Sequence, residues 1–185
     1  MRTLFVLTLL LALTACHRDP ASPIAERVKR GQPAAPVSNE PGHAELAAGL
    51  AAYSSGDHQR ALKFFQEAAD KGVADAQFYT GLMHAEGQGV VQSYAEAVKW
   101  YEKAAAQNQP DALFALAKLH VIGSGVASDT ARAIELYKRA QEAYPPSELR
   151  DQVIEQRLAL EAVMKESQTA QTTTVTADEP ARKTP

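Results

Sequence analysis

The chain has 185 residues, enough for one domain of ordinary size with attached segments. Its formal net charge is −3 and 22% of its residues are charged, so the composition provides neither the basic surface that binds nucleic acid nor a long acidic run that would bind cations. The single cysteine excludes an intramolecular disulfide, and core packing must therefore stabilise the fold.

Residues 1–15 have the pattern of a secretory signal peptide. Arg2 is followed by a run of apolar or hydroxyl residues, which is too short for the roughly 20 residues that span a bilayer as a helix. A conventional cleavage site after Ala15 is poor, because the bulky Leu13 stands where a small residue is needed. The stretch LTAC, which ends at Cys16, resembles instead the lipobox of bacterial lipoproteins. That resemblance implies that Cys16 is lipidated and becomes the mature N-terminus.

The alternative for Cys16 is a spare thiol in a conventional secretory leader. Each buried CH₂ of an acyl chain contributes about 0.8 kcal/mol, so a multiply acylated cysteine would hold the protein at the membrane. In Gram-negative lipoproteins an aspartate after the lipidated cysteine favours retention in the inner membrane, and here His17 follows. The resemblance therefore implies an outer-membrane lipoprotein that faces the periplasm.

Residues 16–42 contain five prolines and little hydrophobic periodicity. Proline fixes φ and removes a hydrogen-bond donor, and such a segment cannot build a core. We predict a disordered tether between the lipidated cysteine and the folded domain.

The middle of the chain repeats itself with a fixed period. The sequence that starts at Ala76 aligns without gaps to the sequence that starts at Ala112, an offset of 36 residues (112 − 76). The stretch RALKFFQEAA carries the same pattern one period upstream. This self-similarity predicts three structural units, at 43–73, 74–109 and 110–144. Paired positions are Gly87/Gly123, Gly89/Gly125, Val90/Val126, Ala97/Ala133, Tyr101/Tyr137, Ala104/Ala140, and upstream Ala61/Ala97 and Phe65/Tyr101.

Each unit is predicted to contain two helices. Ser93 with Glu96 three residues later is typical of a capping box, and Asp57 and Asp129 are good N-cap residues. Apolar residues then recur at helical spacing, with alanines such as Ala104 at the same phase in every unit. Small residues let helices approach closely, so we expect Ala104 at a contact between adjacent units. The fold class is therefore all-α, a short α-solenoid of about three helix-turn-helix repeats.

The pattern G-x-G-V, followed by A-x-x-W-Y-x-x-A-A, resembles Sel-1-like repeats, a subclass of the tetratricopeptide-like solenoids. Residues 74–142 carry it. GQGVVQSYAEAVKWYEKAA is a close match, whereas GSGVASDTARAIELYKRAQ has Leu136 where tryptophan is common. The first unit has a shorter connection between its helices and is more similar to a standard tetratricopeptide repeat. The resemblance implies a binding scaffold.

Two segments follow the repeats. Pro145 and Pro146 end the last unit, and residues 145–166 are predicted to form a helix that caps the stack. Its apolar side carries Leu149, Val153, Leu160 and Met164. Residues 167–185 are rich in threonine and almost free of large apolar groups, and we predict a disordered tail.

Two motifs admit a chemical interpretation. The glycine loops superficially resemble phosphate-binding loops, but no strand precedes them and no lysine-threonine pair follows, so a turn between helices is favoured. His84 and His120 lie one period apart and could in principle bind a metal across adjacent units. A packing role is favoured, because this position usually holds tyrosine in the family and no carboxylate or cysteine accompanies the histidines at ligand spacing. We predict no metal and no cofactor.

No convergent set of nucleophile, base and orienting group is identifiable, and we predict that the protein is not an enzyme. Some cysteine-rich relatives have been linked to β-lactam binding or hydrolysis, but their pattern of one disulfide per repeat is absent here. By resemblance to tetratricopeptide grooves, the first helices of the units would line a concave binding surface. The competing interpretation is that these residues form the core between units. The candidate contact residues are Tyr53, Asp75, Phe78, Leu82, Asp111, Phe114 and Lys118.

The predicted function is a membrane-anchored periplasmic scaffold for protein–protein interaction in the bacterial cell envelope. Its partners would be an unidentified envelope protein or peptide, and the membrane through the lipid anchor, with no nucleic acid. The alternative is an accessory subunit that binds cell-wall glycan or exported polysaccharide, as some repeat lipoproteins do.

Overall fold

A computed structural model describes residues 40–176 of the chain, with side chains described to residue 169. This part of the chain forms seven helices and no strand. None of these helices is long and apolar enough to cross a membrane. The signal peptide, Cys16 and most of the predicted tether lie outside the described residues. The helices are α1 (His43–Ser54), α2 (His58–Asp70), α3 (Ala74–Glu86), α4 (Tyr94–Ala106), α5 (Pro110–Ile122), α6 (Thr130–Ala143) and α7 (Glu148–Thr176).

The helices stack as three consecutive pairs, α1 with α2, α3 with α4, and α5 with α6. The second helix of each pair packs against the first helix of the next, and α7 packs against α6. The predicted all-α solenoid with a C-terminal capping helix is therefore confirmed.

The N-caps of the second helices have the predicted side chains. Asp57 accepts a hydrogen bond from the backbone N–H of Arg60, Ser93 from that of Glu96, and Asp129 from that of Arg132. These bonds satisfy backbone donors that the first helical turn leaves free. Thus three side-chain caps fix where the second helices begin.

The capping box at Ser93 is only half formed. The Ser93 N–H donates to the carbonyl of His84 at 2.8 Å, so it does not need the Glu96 carboxylate. Glu96 instead pairs with Lys99 at 2.6 Å. The connection between α3 and α4 is therefore closed by a backbone bond rather than by the predicted side chain.

The core is built from small residues that let helices approach closely and from aromatic rings that pack on them. Alanines at the repeated positions, including Ala68, Ala104 and Ala140, are 0% exposed. In the first unit a Cβ on Gly49 would lie 2.6 Å from the ring of Phe65 on α2. The missing side chain lets the aromatic ring of the second helix rest directly on the first helix.

The glycine loops attach each unit to the one before it. Gly87 and Gly123 end α3 and α5 in the left-handed conformation. A Cβ on Gly89 would lie 2.6 Å from the carbonyl oxygen of His58, the first residue of α2. The loops therefore have a packing role between units, in agreement with the interpretation as turns.

Helix α7 covers the last pair and extends further than predicted. Val153 is 1% exposed, and the Tyr137 hydroxyl on α6 donates to Gln156 at 2.8 Å. The helix runs to Thr176, ten residues beyond the expected end at 166, so the predicted tail is helical over residues 167–176. No proline or glycine interrupts this stretch, which explains how the helix continues despite its poor helix formers. The rest of the predicted tail lies outside the described residues.

Candidate functional site

The first helices of the units, α1, α3 and α5, carry the candidate contact residues, and the four apolar or aromatic ones are buried. Phe78 is 1% exposed, and its ring stacks on Tyr101 of α4 with centroids 5.8 Å apart. Tyr53, Leu82 and Phe114 are each 7% exposed. These four side chains pack in the core and are not available to a partner in this structure, because the neighbouring helices cover them.

Asp75 and Asp111 belong to a polar cluster at the N-terminal ends of α3 and α5. The Gln109 amide donates to Asp75 at 3.1 Å and to Asp111 at 3.2 Å. The Tyr144 hydroxyl donates to the other oxygen of Asp111, which is 6% exposed. Gln109 also caps α5, since its side-chain oxygen accepts from the N–H of Ala112. The cluster links two units, and it leaves Asp75 half-buried and Asp111 covered.

Further side chains reach back from one unit to the turn of the unit before. Gln107 donates to the carbonyl of Gly72 at 3.0 Å, and Arg139 donates to the carbonyl of Ala105 at 2.7 Å and to Asn108 at 2.9 Å. No sequence pattern indicated contacts for these residues, or for Gln109 and Tyr144. The position of Gln109 directly before Pro110 could have indicated an N-cap.

Lys118 is the remaining candidate, and it is half-buried on α5. Its Nζ lies 5.8 Å from the centroid of the Phe114 ring, a weak cation–π contact. It is the only lysine or arginine within α1, α3 and α5, whereas the same helices contain four carboxylates. The first helices therefore carry net negative charge. The carboxylates are Glu45, Asp75, Glu86 and Asp111.

Two buried phenols near Glu86 have perturbed protonation. Burial raises the pKa of Tyr53, and the Glu86 carboxylate raises it further, while a hydrogen bond with Gln88 opposes the shift. Burial, followed by the charge of Glu86, also raises the pKa of Tyr101. Both hydroxyls thus stay protonated near neutral pH, and neither is poised to act as a base.

The two histidines lie at the C-terminal ends of α3 and α5. Nδ1 of His84 and Nδ1 of His120 are buried without a hydrogen-bond partner. Burial lowers the pKa of His84, and the nearby Glu96 carboxylate offsets part of that effect. Within the described range, no group of three or more His, Cys, Asp or Glu side chains is arranged to hold a metal ion.

A shallow groove of about 530 Å³ lies on α4, at residues that the sequence did not mark as a site. Trp100 forms part of its wall, and the Lys103 ammonium lies 3.8 Å from the centroid of the Trp100 ring. Glu96, Lys99 and Glu102 complete the lining. The groove thus combines an aromatic ring with charged, hydrogen-bonding groups of the same helix.

Comparison with known proteins agrees with this geometry. The model of the Sel1 repeat matches residues 44–73, 74–109 and 110–143, more than half of the chain. No curated protein is significantly similar to the chain.

Solved structures give the same result. The Sel1 repeat protein from Oxalobacter formigenes is 34% identical with a TM-score of 0.50, and the match covers 54% of this chain and 44% of that one. A protective antigen of uropathogenic Escherichia coli that displays an SLR fold is 32% identical with a TM-score of 0.53, over 63% of this chain and 25% of that one. The chain thus spans less than half the length of either protein.

Cysteine rich protein B of Helicobacter pylori is similar in fold. It is 16% identical with a TM-score of 0.52, and the match covers 69% of this chain and 86% of that one.

Proposed function

The chain belongs to the Sel1 repeat family, whose members generally mediate protein–protein interactions, and on that premise we propose that it is a membrane-anchored scaffold for a protein or peptide of the bacterial cell envelope. Proteins of this family are typically non-catalytic.

The observation that carries this proposal is the continuous stack of three Sel1 repeats. Each unit contacts the next through its second helix, α2 on α3 and α4 on α5, so the three pairs form one uninterrupted stack. A solenoid of this kind presents an extended surface suited to a peptide or a helix of a partner. Glu86, Lys118 and His120 are not buried, and they are the polar groups that we assign to this surface.

The LTAC stretch supports attachment to the membrane through Cys16. Between Cys16 and residue 40 the chain has 23 residues, which span about 70 Å in an extended polyproline-like conformation at about 3.1 Å per residue. The repeats would then reach a partner at some distance from the bilayer. His17 supports an outer-membrane location and a periplasmic orientation.

Capture of cross-linked partners from envelope extract tests the scaffold. The full chain is compared with Glu86→Lys and with Lys118→Glu, which reverse single charges on the first helices. Glu67→Lys and Lys63→Glu on α2 are matched controls, because both positions are exposed.

We expect a defined partner that the controls retain and that at least one first-helix variant loses. Equal capture by all variants would show that the partner does not bind through these first-helix charges. Failure to capture any protein would contradict the scaffold.

The α4 groove favours a second candidate function, binding of cell-wall glycan or exported polysaccharide. An aromatic ring stacks on sugar rings, while the surrounding carboxylates and ammonium groups bond with hydroxyls. Trp100 is the only tryptophan in the chain, so its fluorescence reports directly on this groove. A saturable change with soluble peptidoglycan fragments would support this function, and an unchanged spectrum would exclude it for those fragments.

A further inference from the structure

Helix α7 has a second face that the solenoid does not use. Its inner face packs on the core through Leu149, Val153 and Leu160. On the opposite face Leu158 is 52% exposed, and Ala162 one turn later is also exposed. Leu158 and Ala162 are thus two apolar side chains that the cap leaves exposed.

The residues in line with Leu158 follow a regular spacing. Successive positions are separated by four, three, four, three and four residues, so the side chains form one stripe along the helix. We call these residues the α7 outer seam. The seam consists of Asp151, Glu155, Leu158, Ala162, Lys165 and Thr169.

We propose that a second copy of this chain docks on the α7 outer seam in antiparallel orientation and forms a two-fold symmetric dimer. In that orientation Leu158 meets Ala162 of the partner subunit, and Glu155 meets Lys165 of the partner subunit. By symmetry each contact occurs twice, so the interface is closed and further copies are not recruited.

Charge complementarity selects the second copy and its direction. Glu155 and Lys165 are exposed, and among the described residues neither forms an ion pair. An antiparallel pair joins the two opposite charges across the interface. A parallel pair would bring Glu155 against Glu155 and Lys165 against Lys165, and like charges across an interface are unfavourable. Leu158 and Ala162 agree with the same direction, because a large side chain then fills the space above a small one.

The length of α7 supports this role. It has 29 residues, whereas α1 to α6 have 12 to 14. Residues 151–169 extend about 27 Å at a rise of about 1.5 Å per residue, longer than the whole of α6, which is about 21 Å. The outer seam thus offers a helix surface longer than the cap requires.

Sedimentation equilibrium of the full chain in density-matched detergent tests the dimer with charge-reversal variants. Glu155→Lys alone places two like charges at each ionic contact, and so does Lys165→Glu alone. We expect each single variant to weaken dimerisation by about tenfold or more. The double variant restores both opposite-charge contacts and should return to within about threefold of the wild type. Glu67→Lys on α2 is the control and should behave as the wild type.

An equimolar mixture of the two single variants gives the sharpest result. Every ionic contact in the mixed dimer is again between opposite charges, so dimers should form in the mixture and not in either solution alone. Circular dichroism verifies that each variant is folded. A wild-type chain that is monomeric at all concentrations overturns the proposal, because the α7 outer seam then binds no second copy. A dimer that is insensitive to the charge reversals places the interface elsewhere and overturns it equally.

Discussion

Gly125 of the glycine loop between α5 and α6 lies directly against Tyr94, the first residue of α4 in the unit before. A Cβ at position 125 would lie 2.5 Å from the carbonyl oxygen of Tyr94, and the φ of Gly125 is +72°. Gly89 has the same relation to His58 one unit earlier, with a φ of +71°. The second glycine of the G-x-G-V pattern is thus the point where adjacent units touch through their backbones.

Gly125→Ala should destabilise the protein for two reasons, a left-handed backbone and a steric clash with Tyr94. Gly56→Ala is the matched control, because the φ of Gly56 is +82° and a Cβ there would meet nothing within 4 Å. The control should lose about 1 kcal/mol from backbone strain alone. Gly125→Ala should lose at least about 1 kcal/mol more in urea unfolding. Equal losses would show that the contact with Tyr94 relaxes without cost.

Ala104→Leu should destabilise the protein because Ala104 is 0% exposed. Overpacking of a close helix contact typically costs about 1–3 kcal/mol. Ala106→Leu is the control, since Ala106 is exposed near the end of the same helix and should change stability by less than about 0.5 kcal/mol. An unchanged denaturation midpoint for Ala104→Leu would contradict its place in the packed core.

The sequence predicted the repeats well, because their causes are local and periodic. Caps such as Asp57 and buried alanines such as Ala104 act through neighbours along the chain or one helix away. The 36-residue offset by itself predicts which positions of adjacent units are equivalent. The end of α7 was harder to predict, because threonines weaken a helix without ending it.

The candidate site was less predictable, since helical spacing identifies an apolar side chain but not the helix that covers it. Phe78 has the spacing of a surface contact and of a core residue alike, and the structure places it under α4. Gln109 and Tyr144 act on residues as far as 34 positions away, and no sequence pattern links them to their partners.

Tyr144→Phe should destabilise the protein, because it removes a hydrogen bond to a buried carboxylate. The Tyr144 hydroxyl donates to the buried carboxylate of Asp111, and a hydrogen bond to a charged group contributes about 1.5–3 kcal/mol. Tyr94→Phe is the control. Tyr94 is 38% exposed, so in this variant water accepts the hydrogen bond that the Gln92 amide donates to the Tyr94 hydroxyl in the wild type. Chemical denaturation measures both, and a Tyr144→Phe variant as stable as the control would mean that other donors satisfy Asp111.

Cys16→Ala should abolish lipidation, because the cysteine sulfur is the proposed attachment point for the acyl chains. The variant should stay unprocessed or appear in the soluble periplasmic fraction. Metabolic labelling with palmitate measures the change, and His17→Ala serves as a control that leaves the thiol in place. Label that persists in the Cys16→Ala variant would rule out this anchor.

The stability of the repeats should fall as the pH drops below neutral because of His84. Burial lowers the pKa of His84 below its ordinary 6.5, so the unfolded chain binds a proton more readily than the folded one. The stabilisation is fully present above pH 6.5 and is lost as the pH falls toward the lowered value. Glu45 and Glu161, whose ion pairs lower their pKa values, lose their contributions only at and below their ordinary 4.5, which separates the two effects. Urea unfolding between pH 7.5 and 5.5 should therefore show a slope in the wild type that His84→Gln flattens, whereas His43→Gln, at the start of α1, should keep it. A wild-type stability that is constant over this range would show that His84 takes up its proton in the folded state as easily as in the unfolded one.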